Sequence, residues 1–193
     1  MVLRTFKKQI LLAGLGLLAF GSQVASAWAD GIGKLTQNNV KAFIENTTDI
    51  TTTNSRQLSA KKIQRYLDKH LDKDARFKSL MKYNIPGMPP QEASLSLDKE
   101  QFMEYVIKGA ETVQDYDTLV EIKDIKIASE GKKAFVKTQN TEYATMPVPT
   151  EMGSAQDVPM EGVSECTQIL LLKKGAIKMY NANCVTDIHF LEY

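Results

Sequence analysis

The feature that most constrains the fold is a pair of β-rich runs in residues 162–190, separated by the short polar break Lys173–Ala176. Two such runs around a glycine-containing break predict a β-hairpin. If Gly175 lies near the middle of a three-residue loop, Cys166 faces Cys184 across the hairpin. The closing part of the chain is therefore predicted to be a pair of antiparallel strands with a fixed register.

The same register pairs Leu170 with Tyr180 and Leu172 with Lys178, and it gathers apolar side chains on one side of the hairpin. Because side chains alternate between the two faces of a strand, this side is predicted to be buried. Its members are Cys166, Leu170, Leu172, Tyr180, Ala182, Cys184, Ile188 and Phe190.

Cys166 and Cys184 are the chain's two cysteines. Directly opposed strand residues bring Cα atoms to about 4.5–5.5 Å, a separation that a disulfide tolerates. The sequence has no Cys-x-x-Cys motif and no histidine at metal spacing from either cysteine, so a structural disulfide is favoured over a redox pair or a metal site. A disulfide is typical of an oxidising compartment.

The amino terminus has the pattern of a secretory signal peptide. Basic residues precede the apolar run Ile10–Phe20, and small residues allow cleavage after Ala27 or Ala29. The run is too short to predict a membrane span, so we expect no stable membrane anchor after cleavage, although an uncleaved anchor is the alternative. Periplasmic location is predicted, with secretion from the cell as the second possibility.

The charge balance argues against one class of partner. Removal of residues 1–27 takes three of the 24 basic residues and none of the 23 acidic ones, which leaves a net charge of −2. Nucleic-acid-binding domains carry an excess of basic residues. We therefore expect no nucleic acid partner.

Three helices are predicted ahead of most of the strands. A short helix contains Val40–Ile44, and a second runs from Ala60 to about Leu71 because its apolar residues recur at helical spacing. The third begins after Asp98, where Gln101 completes a capping-box register.

From Asp117 onward the apolar pattern alternates with period two. Residues 120–127 alternate with one slip, which is typical of a β-bulge, and residues 134–146 predict a second long strand. Residues 147–161 are rich in proline and are predicted to be an extended surface loop, whereas residues 72–82 fit either a helix or a short strand.

This order predicts an α+β fold in which amino-terminal helices pack on a curved antiparallel sheet of four strands, without the alternating βα units of a Rossmann or barrel enzyme. The predicted organisation is a signal peptide at 1–27, a segment with a short helix at 28–58, and one α+β domain at 59–193.

Residues 98–190 resemble the nuclear transport factor 2-like superfamily, which includes the SnoaL-like proteins. The resemblance lies in the helix DKEQFMEYV, the strands VEIKDIKI and EGKKAFVKTQNTEY, and the hairpin ILLLKKGAIKMYN. It implies a cone-shaped fold with a cavity that often takes small apolar ligands, and homodimers through the open sheet face. The residues expected to line such a pocket are Tyr66, Phe102, Tyr143 and Tyr180.

The sequence contains no recognisable catalytic constellation. His70 and His189 are far apart and lack metal-ligand spacing, and there is no phosphate loop or nucleophile elbow. We therefore expect no metal and no cofactor. The predicted function is that of an exported, non-enzymatic domain that binds a small apolar ligand or a protein partner through its cavity or its sheet face.

Two alternatives stay open. The first is an isomerase- or cyclase-like enzyme for a hydrophobic substrate, with Tyr143 or Tyr180 as hydrogen-bond donor and Asp117 or Asp187 as base. The second is a subunit of an envelope assembly of the secretion type, since some members of the superfamily serve as assembly modules.

Overall fold

The computed structural model describes residues 31–51, 59–84, 89–112, 114–149 and 155–191. The predicted signal peptide lies outside this range. Within the described residues, no helix combines the length and the apolar composition needed to cross a membrane.

The described chain contains three helices and six strands. The helices are α1 (Gln37–Thr51), α2 (Ala60–His70) and α3 (Lys99–Thr112). The strands are β1 (Leu71–Asn84), β2 (Gln91–Asp98), β3 (Gln114–Ile127), β4 (Lys133–Pro149), β5 (Ala155–Lys173) and β6 (Ala176–Phe190).

Capping interactions fix where two of the helices begin. Before α1, the Thr36 amide donates to Asn39 Oδ1 at 2.9 Å, and the Asn39 amide donates to Thr36 Oγ1 at 3.3 Å. Before α3, the Asp98 amide donates to Gln101 Oε1 at 3.1 Å, and the Gln101 amide donates to Asp98 Oδ1 at 2.9 Å. The capping box predicted for α3 is therefore confirmed.

All six strands form one sheet in the order β2-β1-β6-β5-β4-β3. Neighbouring strands are antiparallel except β1 and β6, which are parallel. The prediction of a four-stranded antiparallel sheet is thus corrected to a six-stranded mixed sheet, although the α+β class is confirmed. Residues 72–82 belong to strand β1, where buried and exposed side chains alternate, and β2 was not anticipated.

The closing hairpin has a two-residue turn, because Lys173 pairs with Ala176. Lys174 and Gly175 have φ values of 51° and 75°, as a type I′ turn requires. The predicted three-residue loop is therefore wrong. A one-residue register shift beyond Leu170 restores the expected alignment further along the strands.

That shift is a β-bulge at Tyr180. Leu170 pairs with Met179 instead of Tyr180, Leu172 pairs with Ile177 instead of Lys178, and Ile169 pairs with Asn181. Met179 occupies the buried position predicted for Tyr180, whose side chain is 39% exposed. The other members of the predicted buried face are indeed buried.

The proline-rich stretch forms strands for most of its length instead of the predicted loop. Strand β4 continues to Pro149, β5 begins at Ala155, and the two stay paired throughout; residues 150–154 lie outside the described range. In this region β4 extends beyond the first residue of β3, and β5 extends beyond the last residue of β6. A proline is tolerated there because its missing N–H faces no neighbouring strand.

Alternation of side chains gives the sheet two faces. The inner face packs against the helices around an apolar cluster, here called the main cluster, which includes Ile44 of α1, Leu67 of α2 and Phe102 of α3. Because α1 contributes to this cluster, the short helix predicted within residues 28–58 packs into the same core as the rest of the chain. The Phe102 ring stacks on Phe77 of β1, with the ring centroids 3.8 Å apart.

A second, smaller apolar cluster covers the other end of the inner face. Its buried members are Met81, Tyr83, Ala144, Val158, Met160, Ile188 and Phe190. The inner face of the sheet therefore carries two separate apolar regions. What lies between them is polar.

Candidate functional site

Eight buried polar residues form a belt on the inner face; most lie between the two apolar clusters, whereas Thr138 and Gln168 lie among residues of the main cluster. We call this set the polar belt: Ser79, Thr118, Thr138, Asn140, Glu142, Ser164, Gln168 and Thr186. Burial of polar groups costs free energy unless they find hydrogen-bond partners. Packing alone therefore does not explain why so many polar residues are buried on this face.

Strand register places the belt residues in adjacent rows. Thr118 of β3 lies opposite Glu142 of β4, which lies opposite Gly162 of β5. The next row toward the main cluster contains Asn140, Ser164 and Thr186. Opposed residues on neighbouring strands have side chains within contact range, so each row is a local group.

Part of the belt is bonded internally. Ser164 Oγ and Thr186 Oγ1 are 2.8 Å apart and share a hydrogen bond. The Gln168 side-chain amide donates to Thr138 Oγ1 at 3.3 Å. These bonds join β4, β5 and β6 across the middle of the sheet.

The disulfide lies in the middle of this belt. Cys166 and Cys184 are directly opposed on β5 and β6 and are bonded to each other, which confirms the predicted pairing. The next inward positions along β5 are Ser164 on one side and Gln168 on the other, and Asn140 Nδ2 lies 4.0 Å from Cys166 Sγ. The bridge therefore fixes the two strands that carry the centre of the belt.

Two belt atoms have no hydrogen-bond partner among the described residues. They are Thr118 Oγ1 and Gln168 Oε1, and Thr118 is only 2% exposed. A buried polar group without a partner costs about 1–3 kcal/mol. Each of these two oxygen atoms therefore keeps an unused acceptor.

Gly162 leaves a small gap beside Glu142. A Cβ atom placed on Gly162 would lie 3.8 Å from Thr186 Cγ2 and 3.9 Å from Glu142 Cβ, both ordinary contact distances. The residue is in a β-strand and its φ is not positive, so neither strain nor crowding requires glycine here. What the glycine provides is methyl-sized space on the inner face.

The four tyrosine and phenylalanine residues expected to line a pocket lie on both faces of the sheet. Phe102 is buried in the main cluster, and Tyr66 packs against it with its hydroxyl 2.7 Å from Thr47 Oγ1. Tyr143 and Tyr180 lie on the outer face and are 45% and 39% exposed. Tyr66 and Phe102 thus face the core, whereas the other two face away from the belt.

The carboxylates proposed as bases also lie on the outer face. Asp117 is opposite Tyr143, and Asp187 Oδ1 is 3.9 Å from Lys82 Nζ. A hydrogen bond with the carboxylate of Glu161 raises the pKa of Tyr143. These donors and bases therefore do not converge on the inner face.

The carboxylate that does face inward is Glu142. A signal for this placement exists in the sequence, because the disulfide requires Cys166 to face inward and Cys166 pairs with Thr138. Alternation then places Asn140 and Glu142 inward as well. The apolar pattern alone hides this, since the phenylalanine and tyrosine of β4 face outward.

His70 has a structural environment. Its Nδ1 lies 3.0 Å from the Ile177 carbonyl oxygen, and its ring packs on Tyr66 and Phe43 with centroid distances of 4.4 and 5.5 Å. Burial lowers the pKa of His70. His189 is exposed on the outer face. Over the described ranges, no three His, Cys, Asp or Glu side chains come together as a metal site.

Neither a protein-family model nor a curated protein matches the sequence. Solved structures do match. A conserved protein from Planctomyces limnophilus superposes with a TM-score of 0.52 and 14% identity, over 78% of this chain and 98% of that chain. An NTF-2 like protein of unknown function from Silicibacter pomeroyi has a TM-score of 0.43 and 11% identity, over 79% and 99% of the two chains.

The superposition on the Planctomyces limnophilus protein shows a shared fold. The helices packed on one sheet agree with the fold that the resemblance of residues 98–190 implies. A protein with a cystatin-like fold from Caulobacter vibrioides is also similar, with a TM-score of 0.45 and 13% identity, over 77% and 87% of the two chains. At such identities a shared fold does not specify a function, so the function has to be argued from the belt.

Proposed function

We propose that the protein is an exported binding protein that holds a small amphipathic molecule against the inner face of its sheet. The observation that carries this proposal is the buried polar belt, in which Thr118 Oγ1 and Gln168 Oε1 have no partner among the described residues. The disulfide between Cys166 and Cys184 fits an oxidising compartment such as the periplasm.

The chemistry of the inner face refines the expectation of an apolar ligand. Residues of the two apolar clusters border the belt, and they suit the hydrocarbon part of a ligand. The belt suits its polar part. Small-molecule sites commonly combine apolar walls with a few convergent polar groups, so an amphipathic ligand fits better than a purely apolar one.

The proposal is tested by native mass spectrometry of the mature protein, purified gently from the cells that produce it naturally. We expect a discrete small-molecule adduct on the wild-type protein. Gln168→Met should lower its occupancy, because this change removes the open amide oxygen but keeps the length of the side chain. Gln139→Met makes the same change on the outer face of β4 and should leave the occupancy unchanged.

Wild-type protein that carries no adduct would contradict the proposal. An adduct that survives Gln168→Met as well as it survives Gln139→Met would place the ligand away from the belt. Circular dichroism of both variants checks that they are folded.

The outer face supports a second candidate, which is assembly with a second copy of this chain. Large apolar side chains are exposed there, among them Leu119, Phe135, Tyr143 and Val185, and Leu119 is 58% exposed. Exposed apolar patches often mark protein interfaces. If they form one here, the native protein has the mass of a dimer and Leu119→Lys converts it to a monomer; a monomeric wild-type protein would exclude this candidate.

A further inference from the structure

The turns at one end of the sheet carry lysines that ligand binding at the belt does not use. We propose that this end docks reversibly on a membrane surface that contains anionic lipids. We call it the basic end and define it by five lysines: Lys34, Lys132, Lys133, Lys173 and Lys174. The proposal goes beyond ligand binding and does not depend on it.

Backbone contacts bring the parts of the basic end together. The turn between β3 and β4 lies beside the turn of the closing hairpin, because β4 and β5 are adjacent strands. The segment before α1 touches both turns: the Leu35 amide donates to the Gly131 carbonyl oxygen at 2.8 Å, and the Ile32 amide donates to the Gly175 carbonyl oxygen at 3.1 Å. The Lys34 side chain lies so close over Gly131 that a Cβ atom there would collide with it. Lysines from three parts of the sequence therefore share one surface.

The contacts of these lysines leave their charge uncompensated. Lys132 Nζ donates to the Gly33 carbonyl oxygen at 2.9 Å, and Lys133 Nζ lies 4.7 Å from the centroid of the Phe135 ring. Neither contact supplies a negative charge. Lys174 is exposed at the tip of the closing hairpin. A surface built this way attracts anions over a range of about one Debye length, which is about 8 Å at physiological salt.

The acidic residues close to the basic end do not balance it. Asp72 Oδ2 lies 2.6 Å from Lys173 Nζ, so these two charges cancel. Glu130 in the β3–β4 turn offsets one more lysine, and the ion pair between Lys73 and Asp74 adds no net charge. Five lysines less the two acids Asp72 and Glu130 leave a net charge of +3 at this end.

The opposite end of the sheet is acidic. Asp117 and Glu161 lie on either side of β4 in one row of the outer face, and Asp157 is exposed near the start of β5. Lys82 at this end is close to Asp187, with 3.9 Å between Nζ and Oδ1. A negatively charged surface therefore attracts one end of the sheet and repels the other, so the protein can dock in a defined orientation although the mature chain has a small net negative charge.

The path of the chain favours a membrane as the anionic surface. The apolar run Ile10–Phe20 of the predicted signal peptide is separated from Gly31 by residues 21–30, which span at most about 36 Å when fully extended. Gly31 begins the segment that crosses the basic end. As long as the apolar run is inserted in a membrane, the basic end is the part of the domain that is tethered close to the lipid headgroups.

The test is co-sedimentation of the mature protein with lipid vesicles. One set contains phosphatidylcholine alone, and the other contains equal amounts of phosphatidylcholine and the anionic lipid phosphatidylglycerol. Since each lysine near an anionic surface strengthens association about fivefold, we expect wild-type protein to bind the mixed vesicles about tenfold or more tightly than the neutral ones at low salt. The preference should shrink as the salt concentration rises.

Paired substitutions locate the docking surface. Lys34→Gln combined with Lys174→Gln should weaken binding to the mixed vesicles about tenfold or more. Lys78→Gln combined with Lys137→Gln makes the same change in net charge at exposed outer-face positions and should change binding by less than about twofold. Thermal unfolding checks that both double variants are folded, and the salt titration of wild-type protein tests the electrostatic attraction without any variant.

Equal affinity of wild-type protein for the two kinds of vesicle, or a preference that does not respond to salt, would overturn the proposal. Equal loss of binding in the two double variants would show that net charge acts without a defined docking end, and would overturn it too. Retention on heparin without binding to the mixed vesicles would assign the basic end to a soluble polyanion instead of a membrane.

Discussion

Asp72 and Glu142 are both buried carboxylates on the same sheet, at 1% and 3% exposure, but they have different surroundings. Asp72 Oδ2 is 2.6 Å from Lys173 Nζ, and Asp72 Oδ1 accepts a hydrogen bond from the Asp74 amide at 3.1 Å. Glu142 lies in the polar belt, opposite a threonine hydroxyl with no described partner. The first carboxylate is bonded within the chain, and the second lies opposite a hydroxyl oxygen that keeps an unused acceptor.

The surroundings of Asp72 explain its role. Burial favours the neutral acid, but the hydrogen bonds from Lys173 and the Asp74 amide outweigh burial and lower the pKa of Asp72. Nearby, Lys178 Nζ donates to the Lys69 carbonyl oxygen at 2.8 Å. These contacts join the α2–β1 junction to the closing hairpin, so this end of the sheet contributes to stability.

Buried polar groups of two kinds can therefore be distinguished, those that stabilise the fold and those that are available for binding. Groups whose hydrogen bonds are met internally stabilise the fold, and removing them leaves partners unpaired. Groups left with open atoms destabilise the empty protein and are retained for what they bind. Substitutions at Asp72 and at Thr118 should therefore change stability in opposite directions.

The largest effect is expected for Asp72→Ala, which removes the acceptor for Lys173 and for the Asp74 amide. The free energy of unfolding should fall by about 2 kcal/mol, less than for a fully buried pair because Lys173 can return to water. Urea unfolding near neutral pH measures the change. Asp74→Ala is the control, since its exposed side chain should contribute less than about 0.5 kcal/mol.

Acidification should reproduce part of this loss in the wild-type protein. The pKa of Asp72 is lowered in the folded state from 3.8, so its stabilisation is present above that pH and is lost as the pH falls through the folded value. The stability difference between wild type and Asp72→Asn should therefore shrink in this acidic range. A difference that stays constant would mean that the charge of Asp72 is unimportant.

A smaller effect of opposite sign is expected at the belt. Thr118→Val keeps the shape of the side chain and removes the unpartnered hydroxyl, so the free energy of unfolding of ligand-free protein should rise by about 1 kcal/mol. Thr138→Val is the matched control, because Thr138 Oγ1 accepts a hydrogen bond from Gln168 and its loss should destabilise by about 1 kcal/mol. Equal signs for the two variants would contradict the distinction between satisfied and open belt residues.

The parts of the fold that the sequence predicted are those with local signals. The capping box at Asp98 and the hairpin around Lys173–Ala176 are encoded by residues close to the structure they specify, although the turn has two residues instead of the predicted three. The predicted pairing of the two cysteines follows from that hairpin. The parallel pairing of β1 with β6 joins strands that are far apart in the chain, and no local pattern encodes it. The bulge at Tyr180 likewise depends on packing, which brings Met179 inward.

The hydrophobic pattern of the sequence did not reveal the candidate site, because on β4 the buried face carries polar residues and the exposed face carries aromatic residues. On β4 the exposed face carries Phe135 and Tyr143, whereas the buried face carries Thr138, Asn140 and Glu142. Alternation read by hydrophobicity alone assigns the aromatic residues to the core. Polar residues on the inner face of a strand are the local inconsistency expected at a functional site, and the disulfide register was the clue that could have located them.

The smallest effect is expected at His70, which lies at the same end of the sheet as Asp72. Burial lowers its pKa from 6.5, so below that pH the unfolded chain binds a proton that the folded chain does not. The free energy of unfolding should therefore fall as the pH drops below 6.5 toward the folded value, by at most about 1.4 kcal/mol per pH unit.

His70→Phe should flatten this part of the stability profile, whereas His189→Gln, at an exposed outer-face position, should leave it unchanged. Adduct occupancy at the belt should not follow the same titration, because the described contacts of His70 are with Tyr66, Phe43 and Ile177, at the other end of the inner face. A ligand occupancy that titrates with His70 would show that the two ends of the sheet are coupled, and that stability and binding are not divided between them in this fold.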